Sequence, residues 1–98
     1  MPRDSEPIRV GLRDQINREI ESHREQAAEC RRQAERLQPV AESSRLVHEL
    51  ASAEGRTDVA FVAKAGMETT VRQIDSLLKE AMDHDAQIAR LEIERHIN

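Results

Sequence analysis

Along most of this chain, apolar and small residues recur at alternating steps of three and four. In the first half the series is Ile16, Ile20, His23, Ala27, Cys30, Ala34 and Leu37. In the second half it is Ala60, Ala63, Met67, Thr70, Ile74, Leu77, Ala81, His84, Ile88 and Leu91, with Val71 and Leu78 flanking it. A three–four alternation is the seam of a helix that packs along its length against another helix. It predicts two long helices, each with one narrow buried stripe.

The breaks in the pattern set the boundaries. Residues 1–7 hold two prolines and little apolar content, and read as a flexible N-terminal tail. Residues 8–38 lack proline and read as the first helix. Pro39 interrupts, since inside a helix it removes a backbone donor and clashes with the preceding turn at a cost of about 3 kcal/mol. Beyond it the richest apolar positions are Val40, Leu46, Val47 and Leu50, whereas the earlier phase carries Ser44 and His48. The apolar face has rotated, which favours a break or kink at Pro39 and a separate helix over 40–54. Gly55 suits a helix C-cap, where the left-handed conformation carries no side-chain clash. Thr57 or Asp58 offers an N-cap oxygen for a final helix over 58–96.

The expected fold is therefore all-α: a long, coiled-coil-like antiparallel helical hairpin over residues 8–98. A short middle helix is the variant, and the hairpin is expected to assemble into a helical bundle. With the turn at Gly55 and Arg56, Ile20 faces Leu91, His23 faces Ile88, Ala27 faces His84 and Leu37 faces Ile74.

Composition sharpens this picture in one respect. Among 98 residues, Phe61 is the one aromatic residue, with no Tyr or Trp. Aromatic rings usually dominate cores and interfaces, so this core is a thin seam of aliphatic and small side chains. A thin core in a small chain favours self-association. Leu12, Val40, Val71 and Leu78 are the candidate contacts of a homodimer. Charged residues make up 35% of the chain and the net charge is −4, as long solvated helices would show. No apolar run approaches a membrane span. The start has no signal-peptide core, and a cytoplasmic location is expected. With one cysteine, Cys30, no internal disulfide can form.

Candidate chemistry is sparse. Glu19 with His23, Glu80 with His84 and Glu92 with His96 each lie four apart, so each pair shares a helix face. They read as ordinary helix-surface pairs, and no metal or other cofactor is expected. Cys30 reads as a small packing residue, because a coiled-coil seam holds no substrate cleft. Arg31, Arg32 and Arg36 form a basic stretch, but Glu29 and Glu35 interrupt it and no aromatic stacking platform accompanies it. This argues against nucleic acid as a partner. No phosphate loop or nucleophilic triad is present, so the chain is not expected to be an enzyme.

What remains is the region around the turn. Leu46, Leu50, Phe61 and Val62 fall off the seam and form the candidate partner-binding set. The reading is a non-enzymatic protein–protein interaction module, an adaptor, inhibitor or small regulator. Two alternatives are an export-associated helical hairpin and a dimeric nucleic-acid-associated regulator. The first lacks a Trp-x-Gly turn, since residues 53–58 read Ala-Glu-Gly-Arg-Thr-Asp.

Overall fold

The computed structural model describes the backbone of residues 6–97 and the side chains of residues 11–97. The protein is an all-α helical hairpin with two helices that pack against each other, α1 (Glu6–Ala53) and α2 (Thr57–Ile97). Among the described residues there is no strand and no cis peptide bond. The expected flexible tail falls mainly on residues 1–5, outside the described residues. Glu6 and Pro7 belong to α1. Pro7 stands in the first turn, where its missing N–H leaves no intrahelical bond unmade.

The expected break at Pro39 does not occur. Pro39 lies inside α1, and residues 8–38 and 40–54 are not two helices. The first seam instead continues in phase through Ala41, Ser44, His48 and Ala51, which are buried or half-buried. Val40, Leu46, Val47 and Leu50 remain exposed. The physical reason lies in what the small seam residues permit. Gly66 of α2 lies against Ser44, where an added Cβ would meet its Oγ at an ordinary contact distance of 3.9 Å. The His48 ring nitrogen Nδ1 lies 3.0 Å from the Ala60 carbonyl and donates to it. Packing in phase with Ala60, Ala63, Met67, Thr70 and Ile74 outweighs both the proline penalty and the more apolar neighbouring face.

The turn is set by local chemistry. Gly55 has a φ of 74°. The Arg56 amide donates to the Ala51 carbonyl (2.8 Å) and the Gly55 amide to the Ser52 carbonyl (3.2 Å). This is the doubly bonded glycine cap that satisfies the last carbonyls of a helix. The N-cap expected at Thr57 or Asp58 falls instead on Arg56, whose carbonyl accepts from the Ala60 amide at 2.9 Å. Thr57 opens α2, and Asp58 puts a negative charge in its first turn, where the helix dipole favours one.

By contact density the chain forms two compact units. The terminal unit is Met1–Glu29 with Glu80–Asn98, and the turn unit is Cys30–Lys79. In the terminal unit Ile16, Ile20, Ala27 and Ala81 are buried. Ile20 is the one large side chain that is fully buried among the described residues. In the turn unit the buried positions are Cys30, Ala34, Ala51, Ala60, Ile74 and Thr70. The Thr70 hydroxyl donates to the Gly66 carbonyl at 2.9 Å, so this seam hydroxyl is satisfied within its own helix. No helix among the described residues is long and apolar enough to cross a membrane.

Candidate functional site

The turn unit carries an apolar face beside its seam. A groove of about 600 Å³ is lined by Ser43, Ser44, Val47, Asp58, Val59, Val62, Ala63 and Gly66. A smaller one of about 220 Å³ adjoins it and is lined by Val47, Leu50, Ala51, Glu54, Arg56 and Val59. Val47 and Val59 belong to both, so the two form one continuous surface. Helix geometry explains the composition: Ser43, Val47 and Leu50 recur at steps of four and three on α1, as do Val59, Val62 and Gly66 on α2. The large side chains make the walls, and Ser44, Ala63 and Gly66 make a low floor.

The four residues expected to bind a partner are all exposed: Leu46 47%, Leu50 63%, Phe61 75% and Val62 69%. They do not share one surface. Val62 and Leu50 line the groove, whereas Leu46 and Phe61 are in neither part of it. Of the other lining residues, Ser44 and Ala63 lie on the seam itself, and Ser43, Val47, Val59 and Gly66 belong to neither expected set. The signal of these four was a second three–four series one position from the seam, readable once α1 is known to continue through Pro39.

The four expected dimer contacts, Leu12, Val40, Val71 and Leu78, are each between 41% and 48% exposed. Val40 precedes Val47 by seven residues and so shares the groove's flank. Val71 and Leu78 directly follow the seam positions Thr70 and Leu77, which puts them on the opposite flank of α2. These contacts are not one patch.

Opposite the groove on α1, Arg45 donates through its guanidinium to both carboxylate oxygens of Glu42 and also reaches Glu49. The guanidinium holds the Glu42 carboxyl below the usual carboxylate range, and Glu42 in turn raises Arg45. Both groups are exposed, so this bidentate pair organises the surface more than it stabilises the fold.

In the terminal unit the two helices meet through polar side chains. His23 and His84 bring their Nδ1 atoms to 2.8 Å. Their ring centroids are 5.1 Å apart and the rings are tilted by 43°. His84 is thus one helical turn from the Ile88 expected opposite His23. Arg24 donates to Glu92 at 3.4 Å, and Arg95 to the Asn17 side-chain oxygen at 2.9 Å. His96 shares a small polar cleft with Arg13, Asn17, Glu92 and Arg95.

Cys30 is buried and in no disulfide. Arg31, Arg32 and Arg36 are exposed along α1, and each is engaged with another group. Comparison with protein-family models, curated proteins and solved structures gave no match.

Proposed function

We propose that this protein is a non-enzymatic helical interaction module that works by bundle completion. The apolar face of its turn unit takes up helices of a second copy, and the resulting homodimer presents Phe61 to another protein. The observation that carries this reading is the contrast within the turn unit: its seam is built mostly of small residues, while Val47, Leu50, Val59 and Val62 stand in solvent beside it.

A second copy fits that face for two reasons. The core of one chain is thin, with Ile20 alone as a large fully buried side chain among the described residues. Small helical domains commonly gain stability by burying further apolar surface against a partner. The face is also self-complementary. Valine and leucine walls lie beside a floor of Ser44, Ala63 and Gly66, so a two-fold pairing sets the walls of one copy into the groove of the other. Phe61, outside the groove, stays exposed as an aromatic anchor of the kind that dominates protein recognition.

Thermal melting at a series of protein concentrations tests this. A dimer melts at a temperature that rises with concentration. Val62→Asp removes that dependence, and Met82→Asp, at an exposed site of the terminal unit, leaves it intact. Melting that is independent of concentration in the parent chain overturns the reading.

A further inference from the structure

We propose that His23 and His84 form a clip for a divalent transition-metal ion such as Zn²⁺, with the Glu80 carboxylate as third ligand. The two imidazoles come from different helices and both occupy seam positions, where half-burial restricts their rotamers. Their Nδ1 atoms already face each other at 2.8 Å. That arrangement requires one ring to donate its Nδ1–H and the other to accept; once the donor ring carries its proton on Nε2, both Nδ1 lone pairs point into one small space.

The spacing suits a metal. Two nitrogens at ordinary Zn–N distances in a tetrahedral site lie about 3.4 Å apart. The pair therefore has to open by only about half an ångström to admit the ion. A Glu80 carboxylate oxygen lies within 4.8 Å of a ring nitrogen of His84. Glu80 is exposed and one helical turn from His84, so a rotamer change carries its oxygen toward the ion. Two imidazoles and a carboxylate make a borderline-hard donor set, as Zn²⁺ and Ni²⁺ take, and leave a fourth position for water. Binding requires the donor ring to carry its proton on Nε2 instead of Nδ1, so that both Nδ1 lone pairs face the ion. Loading the site ties α1 to α2 across the terminal unit.

The test is titration of the full chain with Zn²⁺, followed by calorimetry and by thermal melting. One ion per chain and a raised melting temperature are expected. His23→Gln and His84→Gln each weaken binding by more than about tenfold, and Glu80→Gln by about tenfold. His96→Gln, in the polar cleft, has no effect. Absence of binding at millimolar Zn²⁺, or binding that survives His23→Gln with His84→Gln, overturns the proposal. A measurement on the unsubstituted chain covers the case in which those variants unfold. Co²⁺ is expected to broaden the ring-proton signals of His23 and His84 before those of His48 and His96, and the reverse order overturns the assignment.

Discussion

The terminal unit and the turn unit are built on the same three–four seam but use its flanks differently. In the terminal unit the helices are joined by side-chain polar contacts: His23 with His84, Arg24 with Glu92 and Arg95 with Asn17. In the turn unit the buried seam positions are mostly small, Cys30, Ala34, Ala51, Ala60 and Thr70, and the flank carries an apolar groove. The difference shows what a seam of small residues does in a coiled coil. It lets the backbones approach, and it leaves the larger apolar side chains outside the pair. In the turn unit Val47, Leu50, Val59 and Val62 are the side chains so left outside.

The sharpest way to break this comparison is to truncate one apolar side chain from each unit. Ile20→Ala removes the fully buried side chain of the terminal unit and costs about 3 kcal/mol in chemical denaturation. Phe61→Ala, at a position 75% exposed, changes stability by less than about 0.5 kcal/mol in the dissociated chain. Equal losses would mean that Phe61 is core and that the two units are not different in kind.

Pro39→Ala is nearly as informative and of opposite sign. In an uninterrupted α1 the substitution restores a hydrogen bond and relieves a clash, and stabilises by up to about 3 kcal/mol. Proline at the start of a separate helix would be well placed, and its replacement would stabilise nothing.

These two substitutions also mark what the sequence made legible. Every seam position read from the three–four pattern, from Ile16 to Leu37 and from Ala60 to Leu91, is buried or half-buried, because periodicity reports a long-range packing requirement that local chemistry rarely overrides. The glycine cap at Gly55 was readable for a similar reason: φ > 0 admits few other residues. The continuation through Pro39 was not readable. Local rules gave the proline penalty and the richer apolar face, and both argued for a break. What opposed them was packing on the other helix: Ser44 against Gly66 and the His48 hydrogen bond to the Ala60 carbonyl. The groove was legible only in Leu50 and Val62; Val47 and Val59 join them once α1 is continuous.

Gly66→Ala has a smaller effect. An added Cβ would meet Ser44 Oγ at 3.9 Å, an ordinary contact. Alanine therefore stabilises by up to about 1 kcal/mol through helix propensity, read as a higher melting temperature in the dissociated chain. A destabilised variant would show that the helices approach more closely than this.

The smallest effect belongs to the exposed Arg45–Glu42 pair. The folded-state pKa of Glu42 is lowered by Arg45. Its contribution is thus present above the unfolded carboxylate pKa and lost as pH falls through the folded one. Arg45→Ala should lower stability slightly at neutral pH and low salt, and not at all in acid. A difference that persists in acid would mean that Arg45 acts through packing.

The solution mass of the unsubstituted chain tests most directly whether a second copy covers the turn unit's apolar face. Sedimentation equilibrium should return twice the 11.2 kDa chain mass, falling to the single-chain mass for Val62→Asp with helicity unchanged. A single-chain mass for the parent protein at millimolar concentration would contradict the account.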